Sequence, residues 1–187
     1  AYPSNGADLK GLMKAAYYDP NPVVILEHKG LYWSKLKGTD KAKTIEPCKD
    51  YIIPFGKANL ILESRNTDKS ICIITYGMGV HWALNAAQEY QGQVEIIDLR
   101  TLNPIDEECI FERVKKHGKC LVLTEEPYIN SFAQALAGRI QESCFNYLDS
   151  PIFVMGSENL PAIPLNSTLE ETMIPSTAKV KKRIEEL

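Results

Sequence analysis

Four groups of residues in this 187-residue chain have types and spacings that could do chemistry. Gly77-Met78-Gly79 stands between an apolar run and a helical pattern, the setting in which backbone amides at a helix start cradle a phosphate. Trp82 occupies the place of the third glycine of a dinucleotide fingerprint, and Asp98 is the one acid near the end of the next strand, so a tight strand-to-helix turn is the simpler reading. Glu125-Glu126 follows an apolar strand run, at the carboxyl end where sites form in open α/β sheets. Adjacent residues of an extended segment point to opposite sides, so this pair does not make a two-carboxylate acid–base site. A carboxylate pairing with a neighbouring chain or a helix end is expected instead, and Glu125 is a candidate interface residue. Glu27-His28-Lys29 could move a proton, but no nucleophile motif accompanies it, and a structural role is favoured. His81, one residue after Val80 in the first turn of a helix, is a candidate solvent or interface histidine, whose charge would make assembly pH-sensitive.

The other reactive side chains read as structural. The five cysteines, Cys48, Cys72, Cys109, Cys120 and Cys144, are odd in number and none has C-x-x-C spacing. Cys72 and Cys120 lie within apolar runs, where a free thiol behaves as a small hydrophobe, and reduced thiols in a cytoplasmic protein are expected. His28, His81 and His117 lack partners at metal-ligand spacing, so no zinc site is expected. No nucleophile elbow, P-loop or Ser/His/Asp ordering is present, and the residues make no convincing self-contained active site.

The elements that must position these residues follow from hydrophobic period. Ala7 to Tyr18 predicts a helix with Leu9, Leu12, Met13 and Ala16 on one face, stopped by Asp19-Pro20-Asn21-Pro22. Val23 to Leu26 reads as a strand covered on both faces. Trp33 to Lys49 is polar, lysine-rich and without period, so an extended, solvated linker is expected. Thereafter strands and helices alternate. Asn59–Leu62 is an edge strand and Ile71–Tyr76 a buried one. A helix follows with Val80, Ala83, Leu84 and Ala87 as its stripe, then the strand Val94–Leu99. Asn103-Pro104-Ile105-Asp106 opens a helix that buries Ile110, Phe111 and Val114 and ends at Gly118. A strand over Cys120–Leu123, a helix over Ser131–Phe145 and a strand over Pro151–Met155 continue the pattern. Phe145 to Val154 thus joins a helix to a strand through Asp149-Ser150-Pro151. Ser167-Thr168-Leu169-Glu170-Glu171 starts a short helix and Ala178–Leu187 forms a terminal one. The alternation predicts right-handed βαβ units in a mostly parallel sheet covered on both faces.

Composition bounds the function. The 44% hydrophobic and 24% charged content is that of a soluble globular chain long enough for its own core. The net charge of −3 with mixed signs argues against nucleic-acid and acidic-membrane partners, and no apolar run approaches the roughly 20 residues of a membrane span. Ala1 to Gly6 has no basic or apolar signal region, so a cytoplasmic location is expected.

An ordered series of motifs then carries a resemblance. Asp8 to Ala16, followed by Asp19 to Lys29, resembles the end of the pyrimidine-binding domain in the beta subunit of thiamine-diphosphate-dependent 2-oxo acid dehydrogenases, of the pyruvate and 2-oxoisovalerate type. Pro54 to Ala58, Tyr76-Gly77, Val80-His81, Asp98 to Asp106 and Phe145 to Pro151 continue it in order. The resemblance implies a three-layer α/β fold of the transketolase C-terminal-domain type: a mostly parallel sheet with one antiparallel edge strand, preceded by the last helix and strand of a pyrimidine-binding domain. It implies residues 1–33 as a remnant of that domain, 34–50 as linker and 51–187 as the transketolase C-terminal domain. It also implies a fragment that is not catalytic alone and carries no catalytic, cofactor-binding or metal-binding residue. Thiamine diphosphate and Mg²⁺ belong to the full-length enzyme. Implied partners are an alpha part of the same enzyme, a second beta copy in a dimer or heterotetramer, and a lipoyl acyltransferase core. Asp149 matches a family position that docks the core's basic subunit-binding domain, while a turn or cap role is the local alternative. Where relatives often carry glycines after the Glu125-Glu126 strand end, this chain has Asn130-Ser131. Two other readings stay open at this point: a transketolase-type ketol transferase, and a flavodoxin-like module binding a phosphorylated ligand at Gly77–Gly79.

Overall fold

The structure is a computed structural model that describes residues 1–33, 35–65 and 70–187; Ser34, the first residue of the expected linker, lies outside them. Strands β1 (Asn59–Leu62), β2 (Ile71–Thr75), β3 (Val94–Asp98), β4 (Cys120–Pro127) and β5 (Phe153–Ser157) form one sheet in the order β1-β3-β2-β4-β5. Only β1 is antiparallel, pairing with β3 at one edge; the other pairings are parallel. Helices α2 (Met78–Ala87) and α6 (Thr177–Glu185) cover one face, with Ile73, Ile96, Leu121 and Val180 in that core. Helices α3 (Glu107–His117) and α4 (Phe132–Cys144) cover the other, over Ile74, Ile97, Val122 and Ile140. The expected three-layer architecture is therefore present. Each buried Ile or Leu stabilises it by roughly 1.5–3 kcal/mol. The strand order reverses between β2 and β4, which creates a crevice at their carboxyl ends.

Several boundaries differ from the period-based reading for identifiable reasons. Helix α1 (Gly6–Tyr18) is capped by Asn5, but it buries Asp8, Gly11 and Leu12, while Met13 is 52% exposed. Gly11 rotates the docking face, because Ile53 and Tyr51 approach it within the space a side chain would fill. Val23 to Leu26 is extended but is not a strand of the sheet; its backbone is tied to Ala1, through Ala1 N donating to Val24 O and Leu26 N donating to Ala1 O. The linker is not a plain solvated segment. It contains a 3₁₀ turn, Asp40–Ala42, buries Thr39 and Ala42, and is tied to α2 by Asn85 Nδ2 donating to Gly38 O at 2.8 Å.

Helix α2 is buried almost all round instead of along one stripe, because α6 covers the side that faces away from the sheet. Helix α3 starts after Asp106, which caps it by accepting from Cys109 N, so Pro104 lies outside the helix. Gly118 ends α3 at φ +67, as a C-terminal glycine should. Strand β4 runs on through Pro127 and so includes Glu125 and Glu126. Strand β5 begins two residues later than expected. Helix α5 (Ser167–Met173) takes Asn166 as its cap in place of Ser167, and α6 takes Ser176. All five cysteines are free. Among the described residues no helix is long and apolar enough to cross a membrane.

Candidate functional site

The crevice at the carboxyl ends of β2 and β4 is where a doubly wound sheet would hold a ligand. Here the chain's own amino-terminal segment fills it. The Tyr2 ring packs on Tyr76 with centroids 5.4 Å apart, and Tyr76 meets Phe132 edge-on at 5.9 Å. Gly77 sits at φ +53, ψ −125, a conformation open to glycine, and a side chain there would strike the Tyr2 ring at 2.8 Å. Gly79 lies against Thr75 Oγ1 with no room for a Cβ. The Gly77–Gly79 turn therefore exists for close packing, and its concave side is occupied by protein. These residues do not fit a diphosphate. The described residues also contain no group of three or more His, Cys, Asp or Glu that could hold a metal ion.

Glu125 and Glu126 diverge, as extended neighbours must. Glu125 Oε1 lies 3.1 Å from His28 Nε2, and this bond holds the His28 pKa above its usual value against the opposing effect of burial. Glu126 accepts from Tyr76 Oη at 3.1 Å and from Ala133 N at 3.4 Å, in the first turn of α4. Burial pushes the Tyr2 phenol up to about 12, with the charge of Glu125 adding to the effect. Glu27 accepts from Tyr32 Oη. Glu27, His28 and Tyr32 face an open cavity of about 510 Å³, lined also by Ser4, Lys10 and Thr44. The structure thus brings His28 and Glu125 together across 97 residues, and gives Glu125 a partner within the chain. His81 is 2% exposed, so the solvent reading is corrected: Nε2 is 2.8 Å from Ser4 O, and burial lowers the pKa.

Asp149 lies away from this crevice, at the turn after α4. A 3₁₀ turn, Phe145–Tyr147, ends the helix, and Asp149 N donates to Gly118 O at 2.9 Å. The Asp149 carboxylate rests against Gly118, whose missing side chain makes that approach possible. Asp149 itself is exposed. Phe145 and Tyr147 of the same Phe145–Val154 stretch are 67% and 57% exposed, with Lys115 Nζ 5.3 Å from the Tyr147 ring centre. An exposed carboxylate beside two exposed aromatics is equipped for docking a protein surface, with apolar anchors and a charged rim. On the amino-terminal part Tyr17, Val24, Trp33 and Ile45 are also exposed.

Sequence reasoning missed two buried charge clusters whose members are distant in sequence. Asp8 and Arg100 form a bidentate pair, with Asp98 and Ser4 beside it. Arg100 adopts φ +58, a left-handed conformation that costs a residue with a side chain roughly 1–2 kcal/mol. Glu95 lies at the centre of Arg113, Lys116 and His117.

Comparison with known proteins gives a consistent set of similarities. Residues 59–180 match the family model described as transketolase, C-terminal domain. The chain is 37% identical over 182 residues to the pyruvate dehydrogenase E1 component subunit beta of Rhizobium meliloti, covering 95% of this chain and 37% of that one. It is 37% identical over 188 residues to the 2-oxoisovalerate dehydrogenase subunit beta of Bacillus subtilis, covering 99% and 54%. The chain thus spans about half the length, or less, of the curated relatives it matches. A solved split-gene transketolase, an inactive beta4 tetramer, superposes with a TM-score of 0.72 over 99% of this chain and 56% of that one, and at 19% identity it supports the fold.

Proposed function

The chain belongs to the transketolase C-terminal domain family, and from that premise we propose that it serves as the C-terminal region of the beta part of a thiamine-diphosphate-dependent 2-oxo acid dehydrogenase. In that role it assembles subunits and docks the acyltransferase core, and it is not catalytic alone. The reaction of the whole enzyme is then oxidative decarboxylation of pyruvate or a branched-chain 2-oxo acid, with thiamine diphosphate and Mg²⁺ held by other parts. The observation that carries this reading is the crevice closed by Tyr2, together with the exposed carboxylate and aromatics at the Asp149 turn. Tyr2 occupies the concave side of the Gly77 turn, and the Asp149 turn offers a partner both charge and apolar area. Residues 1–33 are the end of the pyrimidine-binding domain in this reading. The exposed Tyr17, Val24 and Trp33 are then covered by the rest of that domain, the alpha part or a second beta copy. Five free cysteines suit a reducing cytoplasm.

Two measurements test the proposal. Asp149→Lys in the assembled enzyme should slow association with the acyltransferase core by roughly tenfold at low salt, because reversing a rim charge acts mainly on the encounter rate. Unchanged association kinetics at low salt would remove Asp149 from the docking site. Titration calorimetry of this 187-residue chain with thiamine diphosphate and Mg²⁺ should show no stoichiometric heat. Stoichiometric, Mg²⁺-dependent binding would overturn the division of labour between this region and the rest of the enzyme.

A further inference from the structure

Two buried carboxylates and one guanidinium lie where residues 2–8 cross the ends of the central strands, and the guanidinium pairs with one carboxylate only. Asp98 is 0% exposed and Asp8 2% exposed. Arg100 commits its side chain to Asp8, with Nε 2.8 Å from Oδ2 and Nη2 2.8 Å from Oδ1. Asp98 is left with the Ser4 hydroxyl at 2.5 Å and the Arg100 backbone amide at 3.0 Å, neither of which is a formal cation. A buried carboxylate without a cation of its own is best held with a proton. The same contacts fix the amino-terminal segment: Tyr2 N donates to Arg100 O at 2.8 Å, and Ser4 O lies 2.8 Å from His81 Nε2. The left-handed conformation of Arg100 is held from both sides, by its own amide on Asp98 and by Tyr2 on its carbonyl.

We propose that Ser4, Asp8, Asp98 and Arg100 form a proton-loaded latch that holds residues 2–8 over the carboxyl ends of the central strands and loosens when the proton leaves Asp98. Closed, the latch keeps Tyr2 on Gly77 and shuts the crevice between β2 and β4. Open, it uncovers Tyr76 and Gly77.

The charged and titratable groups around Asp98 set the sign. Asp8 faces it from α1, Arg100 from the turn after β3, and His81 from α2 through the Ser4 carbonyl; Asn59 and Thr75 are the uncharged residues in register on either side. Burial raises the Asp98 pKa from 3.8 to about 7; the Ser4 hydroxyl and the Arg100 amide pull it down, and the charge of Asp8 adds to the rise. The closed state therefore favours the protonated carboxyl. Opening becomes easier as pH climbs from 3.8 to about 7 and levels off above. His81 works in the opposite sense. Burial lowers its pKa from 6.5, with His28 and Lys41 contributing, so acid below 6.5 favours opening through His81.

The Asp98→Asn comparison separates the two, because the amide mimics the protonated acid and leaves His81 untouched. Residue-resolved amide exchange, corrected for intrinsic pH dependence, is measured for residues 2–8 in both proteins. The ratio of wild-type to Asp98→Asn exchange rates should rise about tenfold between pH 6 and pH 8 and then flatten, as one titrating group requires. A ratio constant over that range overturns the latch. Should the variant fail to fold, carbon-13 titration of the wild-type Asp98 carboxyl locates its midpoint. Wild-type exchange at residues 2–8 that accelerates across that midpoint upholds the proposal; exchange that does not follow it, or a midpoint near the ordinary 3.8, overturns it.

Discussion

Glu95→Ala should cost about 3 kcal/mol of folding stability, since breaking a buried pair by removing one partner typically costs about 3–5 kcal/mol. Glu95 is fully buried on β3, with Lys116 Nζ at 3.2 Å, His117 Nε2 at 3.1 Å and Arg113 Nη1 at 3.7 Å. Removing it leaves three basic side chains and the Ser64 amide, which donates to Glu95 at 3.4 Å, around an empty space. The low end of the range is expected because Lys116 is 32% exposed and can turn to water, while Arg113 can lean on Glu63, 3.7 Å away. His117 keeps its bond to Ser70 through Nδ1 at 2.5 Å. Equilibrium urea unfolding measures the loss; a value under about 1 kcal/mol would mean the cluster contributes no more than exposed pairs do. The pH dependence is a second check. Burial alone would raise the Glu95 pKa, but His117 and Lys116 outweigh it and hold it near 2, against an ordinary 4.5. A depressed acid stabilises the fold above the unfolded value and loses that contribution as pH falls from 4.5 toward 2. The stability gap between wild type and Glu95→Gln should therefore shrink across this window. A gap that stays constant in acid would show that Glu95 is not held ionised by its neighbours.

Gly79→Val is the second large effect, expected near 3 kcal/mol, the upper end of what overpacking a dense core costs (about 1–3 kcal/mol). A side chain at Gly79 would run into Thr75 Oγ1 and approach Leu123. Thr75 is fully buried on the central strand β2 and has nowhere to retreat. Gly138→Ala is the control: it stands in the interior of α4 with nothing within 4 Å of an added Cβ, so it should stabilise by roughly 0.5–1 kcal/mol. Thermal unfolding of both variants reads the contrast. Wild-type stability for Gly79→Val would remove the packing explanation of the turn and reopen the phosphate reading.

Much of the fold was legible because its signals are local. The short apolar runs of Ile71–Thr75 and Val94–Asp98, buried at every position, a period near 3.6 in α3 and α4, and Gly118 past a helix end all act within a few residues. The errors came where tertiary contact overrode that period. The apolar run Val23–Leu26 lacks strand neighbours in the sheet, and α2 carries apolar residues all round because α6 packs on its outer side. Gly11 turned the buried face of α1 toward Asp8 and away from Met13.

The candidate site divides the same way. The divergence of Glu125 and Glu126 was predictable from strand geometry alone. Their partners were not. His28 reaches Glu125 across 97 residues, Arg100 reaches Asp8 across 92, and Ser4 reaches Asp98 across 94. The sequence by itself determined the layered α/β architecture, the tight Gly77 turn and the family, since each depends on short-range pattern and ordered motifs. Folding is what buries His81, closes the crevice with Tyr2, and leaves Phe145 and Tyr147 in the open beside Asp149. The physical reason is that burial and charge pairing depend on which distant segments meet, and a residue's type and its near neighbours carry no record of that.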